Sequence, residues 1–405
     1  LAGLVLQMKL SKLLGNYCWT YYANSSARHG RLSPRGLHAA LMLCSAGLSC
    51  VVARARTSPR WLQLACWGFG LCYGCSDAGV LMVAVWAGRD GRAQRANIAS
   101  VCVGYTFGAV LAPLVVALSL RHGGTVYACW EALAVLAAAA AAVLACAAPL
   151  PRGDAASLPH YEALQPDSPG GNGLELQPLH EPGSTAQSSG DGRDGLGSVS
   201  EVSRKLPGSE PSEDSGSPLH RRHGLVLVGA MVTVLFSVTA AEHGVATWLP
   251  TYGQRVGAME LSSLALLSSV FWAVVTAGRV AWSAFAASVS SAWHALAFDA
   301  SVMVVSGLSY LGYELLQSQW LLWLGTCGLG IAIASSVPAA MALPAEGDVI
   351  ISPNVMLVFN FAMSLGELLA PYTIGLCFAQ GWYGAFTACT VMMSLAVAGA
   401  TAVAR

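Results

Sequence analysis

GAVLAP, residues 108–113, and GELLAP, residues 366–371, are nearly one phrase written twice, with Gly108 and Gly366 separated by 258 positions. Each copy lies inside a long apolar run, and each run is the second from the end of its half of the chain. Gly and Pro at matching places in helices of equal rank point to a parallel repeat. Gly108 and Gly366 would allow close helix approach, and Pro113 and Pro371 a local bend on which one bundle rocks against the other. One difference between the copies bears on function: Ala109 in the first is Glu367 in the second.

The surroundings are those of a membrane protein. Hydrophobic residues make up 55% of the chain and charged residues 10%, against roughly 25% charged in an ordinary soluble domain. A formal net charge of zero gives no basic face of the kind nucleic acid requires. A bilayer-crossing helix needs about 20 apolar residues, and ten stretches approach or exceed that: 37–53, 61–87, 97–120, 125–149, 224–250, 261–285, 292–313, 319–343, 351–378 and 382–404. Four precede and six follow residues 150–223, a segment rich in Pro, Ser, Gly and charge. Its few large apolar side chains cannot offset the entropy of ordering the backbone, so it is expected to be a disordered cytoplasmic linker. Within it Tyr161-Glu162-Ala163-Leu164 has the Tyr-x-x-hydrophobic form of a sorting signal, a pattern common by chance. Six helices after the linker imply six before it. Residues 10–24 (LSKLLGNYCWTYYAN) read as the tail of a second helix, and a first helix is expected to be missing.

Charge distribution agrees with a cytoplasmic linker. Inside segments collect sixteen of the Lys and Arg residues, among them Lys9, Lys12, Arg89, Arg92, Arg95 and Arg279, and outside segments five. This follows the positive-inside rule.

An acid at the centre of a membrane helix costs about 2.5 to 3.5 kcal/mol and therefore normally faces a wet cavity or a partner. Asp77, Glu242, Asp299 and Glu367 are the acids in question. Asp77 is a candidate for a cation or solute contact, with a structural hydrogen bond as the alternative. Glu242, with His243 beside it, is a candidate for solute contact, a cap or a gate. Glu367 must find water, a proton or a cation, which suggests that the second copy of the phrase is adapted to a transport path. Arg279 and Asp299 are expected to form a structural ion pair. Trp248, Tyr252 and Trp272 are candidates to stack on an apolar face of a solute, with an anchor role as the alternative for Trp248, whereas Trp61, Trp86, Trp320 and Trp382 lie near span ends as interfacial anchors. Cys72 and Cys75 have redox or zinc spacing but no second ligand pair, and the cysteines as a whole read as small side chains compatible with lipid. His-Glu-x-x-His, Gly-x-Ser-x-Gly and phosphate-loop signatures are absent, so an enzyme is not expected.

Ala27-Arg28-His29-Gly30-Arg31 resembles the loop between helices 2 and 3 of the major facilitator superfamily, Gly-x-x-x-Asp-Arg-x-Gly-Arg. Arg28, Gly30 and Arg31 fit, while Ala23 and Ala27 replace the Gly and the Asp. YGCSDAGVLMVAVW (73–86), AAEHGVATWLPTY (240–252), SSVFWAVVTAGR (268–279) and GIAIASSVPAAMAL (330–343), the last followed by GELLAP, resemble the sodium-dependent glucose transporter-like branch and, more distantly, fucose permease. Asp77 matches the acid of that branch's fourth helix, although the Asn that should follow it has no counterpart.

The resemblance implies an all-α integral membrane protein of the major facilitator type: two six-helix halves, lacking helix 1 and part of helix 2. Residues 1–149 would form the incomplete first half and residues 224–405 the second. It implies a cavity lined by helices 1, 4, 7 and 10 and secondary transport of a small polar solute, possibly a hexose, coupled to sodium or protons. Expected partners are the lipid bilayer and the solute, with no other cofactor, a monomeric state, and a plasma membrane or endomembrane location. The competing expectation is a transporter-like sensor or scaffold.

Overall fold

The structure is a computed structural model describing residues 2–29, 34–54, 58–87, 91–121, 126–146, 218–257, 259–347, 349 and 351–405. Among them are eleven α-helices and no strand: α1 (Ala2–His29), α2 (Pro34–Arg54), α3 (Pro59–Ala87), α4 (Gly91–Arg121), α5 (Val126–Cys146), α6 (Pro218–Gly257), α7 (Leu261–Phe285), α8 (Ala292–Leu316), α9 (Gln319–Glu346), α10 (Pro353–Ala379) and α11 (Ala385–Val403). Helices are the expected solution, because lipid offers no hydrogen bonds and each backbone donor and acceptor must be satisfied within its own segment. Eight of them, α2, α3 and α6 to α11, are long and apolar enough to cross a membrane.

Two boundaries differ from those read in the sequence. The first helix is not a tail over 10–24 but a 28-residue element, Ala2–His29. Lys9, Lys12 and Asn16 lower its hydropathy, and they do so because they turn inward to polar partners. The sixth helix begins at Pro218, inside the segment expected to be unstructured. The rest of that segment, the sorting-type tetrapeptide and Gly30-Arg31 lie outside the described residues.

Local chemistry sets several helix ends. Ser291 accepts a hydrogen bond from the Trp293 amide at the start of α8, and Ser352 accepts one from the Val355 amide ahead of Pro353 at the start of α10. Both are N-cap arrangements that satisfy orphan amides. Glu346, at the end of α9, accepts from the Ala292 amide (2.9 Å) and from Ser291 Oγ (2.9 Å), so an acid caps the positive end of α8. The same carboxylate pairs with Arg95 of α4, whose Nη2 also donates to the Val289 carbonyl at 2.9 Å.

Helix pairings recur with a displacement of six. α1 packs on α3 as α7 packs on α9; α2 packs on α3 and α5 as α8 packs on α9 and α11; α4 packs on α5 as α10 packs on α11. α4 and α10, the bearers of the repeated phrase, thus hold equivalent places. α6 packs on α9, α10 and α11, and nothing among α1 to α5 plays its part.

The two glycines of the phrase therefore differ in circumstance. A Cβ on Gly366 would lie 2.4 Å from the Phe236 carbonyl oxygen and 2.5 Å from Thr239 Oγ1, whereas one on Gly108 would meet no described atom within 4 Å. Close approach, expected at both, is found at Gly366 and not at Gly108. Pro113 and Pro371 both lie inside their helices, the former's side chain being outside the described set. Contacts between the first five helices and the last six run through α1 and α10, α3 and α10, and α4 with α7 and α9.

Candidate functional site

The site begins at the seam of α1 and α3. Gly70 and Gly74 stand four apart on α3, a small-xxx-small pair that lets two backbones approach. A Cβ on Gly70 would come 2.2 Å from the Met8 carbonyl oxygen, one on Gly74 2.0 Å from that of Lys12, and one on Gly15 of α1 2.3 Å from that of Leu71. Cys75 Sγ donates to the Gly15 carbonyl at 3.2 Å. Cys75 thus sits in the α1–α3 seam, whereas Cys72 faces Cys44 and Ser45 of α2.

This close approach carries Lys12 into the protein. Its side chain is 1% exposed, and Nζ lies 3.1 Å from Asp77 Oδ2 of α3 and 2.9 Å from Glu367 Oε1 of α10. The ammonium also sits 4.6 Å from the centroid of the Tyr73 ring, an attractive cation–π placement. Lys9, one turn earlier, donates to the same Glu367 carboxylate. Lys9 and Lys12 are therefore not cytoplasmic-face charges, as the topology count had them. They belong to a buried cluster of two ammoniums and two carboxylates that joins α1, α3 and α10. Farther along the same face of α1, Asn16 Nδ2 donates to Ser364 Oγ of α10 at 3.4 Å.

Glu367 is special in its main chain as well. A helical residue at 371 would donate its N–H to the carbonyl of 367, and Pro371 has none. The repeated phrase thus puts the bend and the acid at one place on α10, where the first copy has only Ala109.

α6 forms the next wall. Thr239 Oγ1 donates to the Met363 carbonyl of α10 at 3.1 Å, holding the two helices together at Gly366. One turn on, His243 Nδ1 lies 3.1 Å from the Thr239 carbonyl. A carbonyl only accepts, so Nδ1 carries a proton, and in the neutral ring Nε2 keeps its lone pair. Glu242 is buried, and both its carboxylate oxygens accept from Arg279 Nη2 of α7, at 3.1 and 3.3 Å. The guanidinium also lies 5.8 Å from the centroid of the Tyr105 ring of α4.

Asp77, Glu242, His243, Arg279 and Glu367 line one cavity of about 70 Å³, together with Tyr73 and Tyr105. Ligand pockets commonly measure about 300 to 1,000 Å³. The space is thus too small for a hexose in this conformation, although its wall is not sealed: Tyr105 is 40% exposed and the Asp77 side chain 23%. A larger open groove, about 430 Å³, runs along α8 and α11 past Trp293 and Ala398 and has no ionisable group in its wall.

Three expectations from the sequence need correction. Arg279 pairs with Glu242, not with Asp299. Asp299 is fully buried between α8 and α9, where Ser335 Oγ (2.8 Å) and Ser336 Oγ (3.2 Å) donate to it. The reason is geometric: α7 turns Arg279 toward α6 and α4, while Asp299 faces α9. Trp248 does not line the cavity; its Nε1 donates to the Pro371 carbonyl at 2.7 Å and its ring packs edge-on against Phe378. Trp272 packs on Phe271, and Tyr252 stacks on Phe386 with its hydroxyl 2.9 Å from Thr387 Oγ1, so neither faces the cavity.

Two charge clusters thus face one cavity in a bundle whose described residues form eleven α-helices. Residues 10–348 match the family model described as Major Facilitator Superfamily. The chain belongs to the Major Facilitator Superfamily. It is a multi-pass integral membrane protein of a transporter family, not an enzyme.

Solved major facilitator structures share the fold. The proton:xylose symporter XylE bound to 6-bromo-6-deoxy-D-glucose superposes with a TM-score of 0.66 at 13% identity, over 99% of this chain and 84% of that one. The human organic anion transporter MFSD10 (TETRAN) gives 0.62 at 15% identity, over 99% and 83%. The transporter FucP in the outward conformation gives 0.61 at 12%, over 99% and 89%. No curated protein matches the sequence significantly.

Proposed function

We propose that this chain is a secondary active transporter of a small polar solute, a sugar by preference, working by alternating access with a coupling cation. The observation that carries the proposal is the largely buried Lys9–Lys12–Asp77–Glu367 cluster, which spans the seam between α1 and α10 beside a small cavity. Ionic contacts of this kind form and break as two bundles rock against each other.

Charge balance favours a neutral solute. Asp77, Glu242 and Glu367 are matched by Lys9, Lys12 and Arg279, so no uncompensated charge awaits an ionic partner. Tyr73, Tyr105, His243 and the carboxylates offer donors and acceptors suited to hydroxyl groups. The residues quoted for the sodium-dependent glucose transporter-like branch support a sugar, as does the glucose derivative bound by XylE. In this account residues 1–149 and 218–405 act as two half-bundles related by an axis along the membrane normal, joined by a cytoplasmic linker over 150–217, in a monomer of the plasma membrane or an endomembrane.

Counterflow of labelled D-glucose in proteoliposomes holding the purified chain tests the proposal. A transient overshoot in vesicles preloaded with unlabelled D-glucose is expected. Its absence for D-glucose alone would remove the sugar assignment, and its absence across a panel of neutral polar solutes would favour the sensor or scaffold role.

A further inference from the structure

We infer that the cation coupled to this cavity is a proton, taken up at Nε2 of His243, and not a sodium ion held by the cavity carboxylates. The inference rests on the transporter proposal and selects its coupling ion from the groups that face the cavity.

A sodium ion held by the cavity acids needs a carboxylate whose charge is available. Each cavity acid already holds a fixed cation. Lys12 Nζ lies between Asp77 and Glu367 at 3.1 and 2.9 Å, Lys9 adds a second ammonium to Glu367, and Arg279 occupies both oxygens of Glu242. Lys12 stands where a cation shared by Asp77 and Glu367 would stand. Its own side chain is 1% exposed, so it has no alternative partner in water.

His243 has what the acids lack. Its Nδ1 proton is committed to the Thr239 carbonyl, and Nε2 makes no hydrogen bond among the described residues. The ring is half-buried in the wall of the same cavity. The charged or titratable groups around that cavity are Glu367 on α10, Lys9 and Lys12 on α1, Asp77 and Tyr73 on α3, Cys102 and Tyr105 on α4, Arg279 on α7 and Glu242 next to His243 on α6. α9 contributes the uncharged Val337.

The consequence is mechanical. Uptake of a proton from water by the Nε2 lone pair makes His243 an imidazolium, with a unit charge added to the wall that holds Glu367. His243 and Glu367 are on α6 and α10, which pack directly on each other, whereas Lys9 and Lys12 are on α1, across the seam. An imidazolium on the near side competes with the ammoniums on the far side for one carboxylate. Protonation weakens the ionic contact that holds α1 to α10, and release of the proton restores it.

Charge-displacement recording on proteoliposomes adsorbed to a solid support tests this without any solute, using protons and sodium as the probes. A pH jump should give a transient current in the native chain, and replacement of potassium by sodium at constant pH and ionic strength should give none. His243→Gln should lose the pH-jump current, while Asp299→Asn, altered outside the cavity, should keep it. A sodium current, a pH-jump current that survives His243→Gln, or no current from either ion would each overturn the inference. The two native-chain recordings stand even where a variant fails to fold. A His243-dependent current in a protein without hexose counterflow would leave the proton site in place and refute the solute assignment instead.

Discussion

Replacing Lys12 by methionine keeps the length of the side chain and removes the ammonium from between two acids. Lys12 is 1% exposed, with Asp77 at 3.1 Å and Glu367 at 2.9 Å. Glu367 retains Lys9, but Asp77 loses its cation. Stranding a buried charge costs about 3 to 5 kcal/mol. Asp77 is 23% exposed, so partial solvation and the remaining Lys9 place the expected loss at the lower end, about 3 kcal/mol. At roughly 2 °C per kcal/mol for a long chain, the thermal midpoint in detergent should fall by roughly 6 °C. Lys12→Met combined with Asp77→Asn removes the stranded charge as well. It should recover at least about 1 kcal/mol relative to the sum of the single changes, because residues in contact are not additive. Intrinsic tryptophan fluorescence against temperature measures all three variants. A midpoint for Lys12→Met unchanged from the native one, or strictly additive losses in the pair, would refute the buried cluster.

Three further outcomes follow from the same geometry. Gly74→Leu drives a side chain into the Lys12 carbonyl, whose oxygen lies 2.0 Å from where the new Cβ would stand, and should cost at least the roughly 1 to 3 kcal/mol of an overpacked core; Gly47→Ala, which meets nothing within 4 Å, is the control, and equal midpoints for the two would contradict the α1–α3 seam. Glu242→Gln strands the buried Arg279 and should lower the midpoint as Lys12→Met does, with Arg279→Met in the same chain restoring part of the loss; a neutral Glu242→Gln would mean that the ion pair is not formed. Trp248→Phe keeps the packing on Phe378 and gives up the 2.7 Å bond to Pro371, a loss of about 1 kcal/mol with counterflow retained; loss of counterflow at an unchanged midpoint would return Trp248 to the solute path.

The fold was legible because lipid leaves the chain few choices. Runs such as 261–285 and 292–313 became α7 (Leu261–Phe285) and α8 (Ala292–Leu316) with little change, since hydropathy reports the bilayer directly. α1 was misread for the same reason: its buried face is polar. Lys9, Lys12, Asn16 and Thr20 recur at spacings of three and four, one face of a helix, and that periodicity was the available signal. Gly70 and Gly74, four apart and just ahead of Asp77, were a second signal that α3 receives a close neighbour. The acids stood out by their cost in a membrane, but cost does not name a partner. Arg279 could reach Glu242 or Asp299 by position in the chain, and only the rotation of α7 decided between them. The aromatic residues were the least legible, because Trp248 and Tyr252 look alike in sequence whether they stack on a solute or on Phe378 and Phe386.

The central claim is that solute passes where α1 and α10 meet, so that the seam must open in each cycle. Asn16 and Ser364 face each other across it at 3.4 Å, both buried and both uncharged. With cysteines at these two positions, in a chain whose native cysteines are replaced by alanine or serine, a short bifunctional thiol reagent can bridge α1 to α10 without disturbing a charge. Counterflow of labelled D-glucose should stop when the bridge is complete and return when it is reduced. Undiminished exchange through a fully bridged seam would contradict the account.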